Sequence, residues 1–396
     1  MFIVKALLSA FYMLWEILWP LIFGFALSAL VQALVSRRTL ARLLGGTGPR
    51  HLALATLFGI ASSSCSYAAV ALARSLFRKG ASFTAAMVFE LASTNLVIEL
   101  GLILLVLLGW PFMLAQYLGG LLMIVLLALI FRLTLTRALV ARAQEQAERG
   151  LSGRMEGHAA MDMSLEENGP FWRRLWSGRA FTAISHYFVM DWAAVWTDVL
   201  LGLLIAGALA AWVPDSFWRV FFLSGNPTLA AIEGPLLGPL VAIISFVCSV
   251  GNVPLAAVLW HGGISFGGLV SFIFADLIVL PILDIYRKYY GWQMAGYLLL
   301  TFYITMALAG YLVELLFSLL GLIPTQRTVA AISEGLHWNY TTVLNLLALF
   351  LAAVLVMRFL RTGGLTMLAM MNQSPGELSP GPHADEHRSH EQQKTS

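Results

Sequence analysis

Apolar runs dominate the chain, separated by short polar breaks, and nine of them stand out: about 6–35, 52–73, 81–109, 111–131, 187–213, 229–260, 264–286, 291–321 and 339–360. Several are long enough to cross roughly 30 Å of hydrocarbon as helices. The pattern predicts an all-α polytopic membrane protein. The first run, within Met1 to Val35, is too long for a signal peptide and has no small-residue cleavage site, so it reads as a membrane helix. A polar stretch, Arg132–His186, separates the fourth and fifth runs. Its first part continues the preceding helix, and Gly150–Pro170 reads as flexible linker. The last residues, Gln373–Ser396, are rich in Pro, Gly, His and Glu and are expected to be disordered.

Composition closes off the soluble classes. Of 396 residues 59% are hydrophobic and 11% charged, with a mean hydropathy of +0.80, whereas charged residues approach about a quarter of a soluble globular chain. Two cysteines build no disulfide framework. There is no Walker A sequence and no H-E-x-x-H, so neither ATP drive nor zinc proteolysis is indicated. No cofactor is called for, no enzymatic activity is expected, and nucleic acid is not an expected partner. The bilayer is.

Those two cysteines occupy equivalent points of an internal repeat. Displacing the sequence by 183 residues without gaps places Cys65 on Cys248 and Ser66 on Ser249; over Ile60–Ala92 against Ile243–Ala275, 13 of 33 positions are identical. Gly80/Gly263, Ser82/Ser265 and Phe83/Phe266 are among them. That density exceeds what two apolar stretches share by composition, so the chain holds two related halves.

The basic residues then shape the topology, because Lys and Arg favour the cytoplasmic side. With all nine runs spanning, the 24 basic residues divide 13 to 11, and the bias is absent. Arg37, Arg38, Arg42 and Arg50 precede the second run while Arg74, Arg78 and Lys79 follow it, so both of its ends look cytoplasmic. If the second and sixth runs are re-entrant hairpins and the N-terminus is outside, 21 basic residues fall inside and only Lys5, Arg219 and Arg327 outside. Residues 52–73 folded in two give limbs of about 11 residues, or about 16 Å, half the depth of a bilayer. The tip falls at Ser62–Ser66, small and polar as cavity-lining backbone must be. In the second copy Pro235, Pro239, Gly251 and Pro254 act as breakers. Each half then has three spanning helices plus a hairpin, an odd number of crossings, and the repeats are inverted. The expected organisation is a first membrane repeat over 1–133, a cytoplasmic linker over 134–186, a second repeat over 187–321, an extra loop and transmembrane helix over 322–360, and a His-containing cytoplasmic tail over 361–396.

Broken segments at matching positions of inverted repeats point to a transporter's substrate site. Cys65 and Cys248 are either small buried apolar residues, as free cysteines usually are, or a pair of soft ligands for a thiophilic ion or metalloid. Ser64, Ser66, Ser249, Asn252 and Asn95 are candidate site-lining residues. Among the intramembrane acids Glu16, Glu90, Glu99, Asp198, Glu233, Asp276, Asp284 and Glu314, the two that follow the repeat cores, Glu90 and Asp276, are the candidate proton couplers. Both are expected on the helix after each hairpin, and each has the alternative of a structural, hydrogen-bonded acid. His158, Met161 and Met163 in the linker, and His383, His387 and His390 in the tail, form a weaker metal-binding theme beside the reading of incidental polar residues.

The stretch from Cys65-Ser66 through Arg78-Lys79-Gly80-Ala81-Ser82 to Ala92-Ser93-Thr94-Asn95, and the second copy Cys248-Ser249-Val250-Gly251-Asn252-Val253-Pro254, resemble the two signatures of the ArsP-type permeases. Tyr67-Ala68-Ala69-Val70 stands where that family often has valine-proline. The resemblance implies a multi-pass permease of the bacterial inner membrane, and characterised members export trivalent organoarsenicals. It converges with the thiol reading: a secondary efflux permease for a thiophilic metal(loid) or its organic derivative, with protons as the coupling ion. Two alternatives remain at this stage, a transmembrane thiol–disulfide carrier and an exporter of another ion or small anion.

Overall fold

The computed structural model of the chain describes residues 2–34, 43–62, 66–148, 177–214, 217, 221–222, 225–245, 249–327 and 340–366. Every element of regular structure among them is a helix. In chain order these are α1 (Phe2–Leu34), α2 (Pro49–Ser62), α3 (Ser66–Arg78), α4 (Phe83–Asn95), α5 (Ile98–Leu107), α6 (Trp110–Thr134) and α7 (Arg137–Glu148). They continue as α8 (Gly178–Trp212), α9 (Pro227–Ser245), α10 (Ser249–Gly262), α11 (Phe266–Phe274), α12 (Leu280–Tyr290), α13 (Trp292–Leu319) and α14 (Tyr340–Arg361). Five helices among the described residues are long and apolar enough to cross a membrane, or up to seven if each bent pair is one span. The outward faces are lipid-like: on α6, Leu121, Val125 and Leu129 are exposed while Met123 and Leu127 are fully buried.

The two halves repeat each other in local geometry. The two stretches that the sequence marks, 63–65 and 246–248, lie outside the described residues, between α2 and α3 and between α9 and α10. Gly80 and Gly263 have φ of 104° and 109°, the left-handed region that costs other residues a steric penalty. Each opens a turn whose following serine caps the next helix: Ser82 Oγ accepts from Ala85 N, and Ser265 Oγ from Gly268 N. Farther on the register shortens by one residue. Val97 precedes α5 as Val279 precedes α12, and Gly109-Trp110 opens α6 as Gly291-Trp292 opens α13.

Contacts within the first half show how α2 and α3 run. Ser82 Oγ donates to Gly46 O at 2.8 Å, so the start of α2 lies beside the start of α4. A methyl placed on Gly59 would stand 2.6 Å from Phe89 O, so α2 advances alongside α4. The chain leaves α3 through Ala81 N–H bonded to Leu76 O and turns directly into α4. Thus the start of α2 and the end of α3 lie at one level, and the described ends Ser62 and Ser66 lie toward the far end of α4. In the second half α9 advances along α11 in the same way, with Gly234 packed on Gly268 and Gly238 on Ser271 and Phe272.

Helix α6 measures the separation of the two pairs. Near its end Phe131 stacks on Phe83 with centroids 6.1 Å apart, at the base of the α2–α3 pair. Near its start Phe112 lies 4.9 Å from Trp260 and 4.7 Å from Phe266, at the base of the α9–α10 pair. Those two levels are about 28 Å apart along the helix, close to the thickness of a hydrocarbon core. The halves also exchange contacts, α3 packing on α12 of the other half and α10 on α5.

Three expectations are corrected. Pro235 and Pro239 do not break the chain but lie inside α9, where packing against α11 and α13 holds the helix despite two missing donors. As a result α9 has 19 residues against 14 in α2, and the two first limbs are not of equal depth. The runs 81–109 and 264–286 are each interrupted. After α4 the hydroxyls of Ser93 and Thr94 bond back to Glu90 O, competing with the helical ladder. The second run passes through a 3-10 turn, Ala275–Leu277, before Pro281 opens α12. Asp276 therefore sits in that turn rather than on the helix proper.

Close backbone approach sets one testable outcome. A Cβ on Gly268 would stand 2.7 Å from Gly234 C, so Gly268→Ala must push α9 off α11, at a cost of about 1–3 kcal/mol. Gly296 has open space around it, and Gly296→Ala is expected to leave stability level or slightly raised. Thermal denaturation of the detergent-solubilised protein distinguishes them; equal midpoints for the two variants would contradict the packing.

Candidate functional site

An ionised side chain in hydrocarbon is stable only if hydrogen bonds or counter-charges replace its hydration. Asp276 meets that requirement through groups from both halves. Ser66 Oγ donates to Asp276 Oδ2 at 2.6 Å, a length characteristic of a hydroxyl on a carboxylate. Asn95 Nδ2 donates to Oδ1 at 3.3 Å. The same Ser66 oxygen accepts the Ser249 N–H at 3.3 Å. Ser66 and Ser249 are the first described residues of α3 and α10. One hydroxyl thus holds the Ser249 N–H of the other half and the Asp276 carboxylate together.

Around this junction lies a second layer. Gln116 Nε2 donates to Asn95 O at 2.9 Å and to Asn95 Oδ1 at 3.4 Å, tying α6 to the break after α4. Asn95 Nδ2 also donates to Thr94 Oγ1 at 3.0 Å. The Tyr286 hydroxyl donates to Glu90 Oε1. Ser66, Glu90, Asn95, Asn252 and Asp276 are all fully buried. Neither Glu90 nor Asp276 has an ion-pair partner among the described residues; the ion pairs found there join Asp284 to Arg287 and Lys288. Glu90 Oε2 and Gln116 Oε1 are buried without a hydrogen-bond partner.

Of the residues singled out from sequence, Ser66, Ser249, Asn95 and Asp276 come together in one hydrogen-bonded network. Glu90 stands beside it on Tyr286, and Asn252 is buried one turn into α10. Cys65, Cys248, Ser64, His158, Met161 and Met163 lie outside the described residues, as do His383, His387 and His390. No group of three or more His, Cys, Asp or Glu that could hold a metal ion occurs among the described residues. Sequence reasoning missed Gln116, Tyr286 and Asp191. The last forms a further polar site: Ser28 Oγ donates to Ser62 O at 3.0 Å and approaches Asp191 Oδ2 at 3.5 Å, with Glu99 close enough to sense the Asp191 charge. Nothing in the residue types of Gln116 or Tyr286 sets them apart from ordinary helix-packing residues.

No solved structure matches this chain. A protein of Mycobacterium tuberculosis (strain ATCC 25618 / H37Rv) named "Putative permease Rv2963" is 61% identical over 341 residues, covering 86% of this chain and 84% of that protein. The family model ArsP_1, described as "Predicted permease", matches residues 3–315, both halves included. The chain belongs to the ArsP_1 family of permeases.

Proposed function

We propose that this permease is a secondary efflux carrier of the bacterial inner membrane for a thiophilic metal(loid) or its organic derivative, trivalent organoarsenicals being the leading class. The observation that carries the reading is the contact of Ser249 N–H with Ser66 Oγ. These are the residues directly after the chain's two cysteines, and a cysteine Cα stands about 3.8 Å from the Cα of its neighbour. Two thiolates near one junction suit a soft acceptor with two exchangeable positions. Ser64, Ser66, Ser249, Asn252 and Asn95 line the site in this reading. Glu90 and Asp276, buried acids with no ion-pair partner among the described residues, are the proton carriers, since a proton is the simplest counter-charge. The linker metal theme at His158, Met161 and Met163 is an accessory in this scheme and carries none of it.

The repeats are inverted in this reading. Each hairpin's limbs begin and end at one level, and the two bases sit at opposite ends of α6. The face bearing α7 is taken as cytoplasmic because 21 of 24 basic residues then fall inside. The halves are 1–133 and 187–321, with α14 as the extra helix and 134–186 as the cytoplasmic linker.

Topology is open to direct measurement. With the native cysteines replaced, Arg50→Cys and Lys79→Cys should react with an impermeant maleimide from the cytoplasmic side only, and His261→Cys from the opposite side only. Labelling of Arg50→Cys and Lys79→Cys from different sides would eliminate the re-entrant hairpin.

Substrate class is tested by sensitivity profiles of cells with and without the protein across arsenicals and other thiophilic compounds. Resistance should appear with the wild-type chain, and Cys65→Ser/Cys248→Ser should lose it while remaining in the membrane. Full resistance in that double variant would favour a hard-ion exporter, and a reducible Cys65–Cys248 disulfide would favour an electron carrier. Asp276→Asn should lower transport by about tenfold or more, since it removes a group from a network whose bonds to charge contribute about 1.5–3 kcal/mol each.

A further inference from the structure

A cavity of about 1060 Å³ lies where α6 turns into α7, at the upper end of the size range of ligand pockets. Its walls come from the start of α2 at Gly48 and Leu52, from Thr84 in the first turn of α4, and from the α6–α7 elbow. Much of the lining is apolar, with Leu129 and Leu135 from the elbow and Val140 from α7. Two ionisable side chains line it, and both are basic: Arg132 in the last turn of α6 and Arg137 at the start of α7. Both are exposed, and neither guanidinium has a hydrogen bond or ion pair among the described residues. The nearby acids of α7 are engaged elsewhere. Glu148 accepts from Gln144 Nε2 at 3.0 Å, and Glu145 lines a separate recess with Arg142.

Two further features describe what would fit. Thr84 is nine-tenths buried and lines the cavity, yet its hydroxyl has no hydrogen-bond partner among the described residues. A buried hydroxyl in that state calls for a polar group from outside. Pro49, the first residue of α2, also lines the cavity, so the positive end of that helix dipole adds to the two arginines. Toward the bilayer the cavity opens onto lipid-facing surface. Leu129 both lines it and continues the exposed row Leu121, Val125, Leu129 along α6. From Leu121 to Arg132 is about 16 Å of helix, about the hydrocarbon depth of one leaflet. An amphiphile with an anionic head and a chain of leaflet length matches both ends.

We propose that this cavity binds an anionic phospholipid, its headgroup phosphate held by Arg132 and Arg137 and an acyl chain laid along Leu129, Val125 and Leu121. Basic pockets between membrane helices suit such heads, and the arginine fork matches phosphate oxygens. A zwitterionic head fits less well, because its ammonium would stand beside two arginines with no lining acid to receive it. A free phosphate would leave the apolar wall uncovered. The bound lipid touches α2, α4, α6 and α7 together, so it braces the base of the α2–α3 pair from the lipid side. This site is independent of the substrate and of proton coupling.

The test is native mass spectrometry of the full-length protein, delipidated in detergent and titrated with phosphatidylglycerol, cardiolipin or phosphatidylethanolamine, with inorganic phosphate as competitor. The two anionic lipids should show a saturable first site that Arg132→Gln/Arg137→Gln weakens by about tenfold or more. Ala141→Trp, which fills the cavity from its exposed rim, should weaken it while leaving both arginines in place. Arg142→Gln/Arg361→Gln removes the same charge elsewhere and should bind as the wild type does. Melting midpoints without lipid should agree between the wild type and both arginine variants. With phosphatidylglycerol the midpoint should rise in the wild type and in Arg142→Gln/Arg361→Gln, and stay level in Arg132→Gln/Arg137→Gln. Wild-type binding in both cavity variants overturns the site. Phosphatidylethanolamine binding there as tightly as phosphatidylglycerol, or displacement of the lipid by millimolar phosphate, overturns an anionic lipid as the occupant. Binding that appears only after residues 152–168 are deleted overturns it in favour of the chain's own linker.

Discussion

The Ser66 hydroxyl is the point on which the centre of the molecule depends. It has one proton to give and lone pairs to receive, and both are used across the boundary between halves: the proton goes to Asp276 and a lone pair takes the Ser249 N–H. In water these bonds would exchange freely for hydration. In a fully buried position each polar group left unpaired costs about 1–3 kcal/mol, so three chain segments from two repeats are held in one arrangement. Polar groups at such depth need partners of this kind, and here partners for each half are supplied by the other.

The arrangement also explains the spacing of everything around it. Helix α6 runs past both helical pairs, with Phe131 beside Phe83 at one and Phe112 beside Trp260 and Phe266 at the other. Small residues allow the approach: Gly59 against Phe89 and Ala92, and Gly234 against Gly268, bring backbones within reach where larger side chains would hold them apart. The breaks at the ends of α4 and α11 are part of the same design. They put Asn95 and Asp276 at the level of Ser66 instead of carrying them onward along a continuous helix.

Two buried acids without ion-pair partners among the described residues bias the protein toward binding something positive. Membership in a permease family fits that bias, and in the proposed mechanism the proton, the soft substrate and the two half-helix starts compete for one set of dipoles. Alternating occupancy of that set is what couples an efflux cycle to a proton gradient, provided the acids can be reached from one face at a time.

Much of this was legible in the residues themselves. Hydropathy determined the helical, membrane-spanning class because a buried backbone must satisfy its own hydrogen bonds. The 183-residue repeat determined that Ser66 and Ser249 are equivalent. Asn95 and Asp276 could be named from sequence because polar side chains are costly among apolar neighbours. Which of them touch is a matter of tertiary structure alone. Nothing local links Gln116 to Asn95, or Tyr286 to Glu90, since each partner belongs to a different helix and their residue types serve equally well in plain packing. Pro235 and Pro239 show the reverse: a strong local signal for breakage was overruled by the neighbours of α9. The breaks after Asn95 and at Pro281 had local signals, in the Ser93-Thr94-Asn95 hydroxyl and amide run and in the proline, but hydropathy averaged over a whole run conceals them. Composition determines which segments enter the membrane, because transfer energy sums over residues, whereas the pairing of polar groups inside depends on directional contacts between segments far apart in the chain.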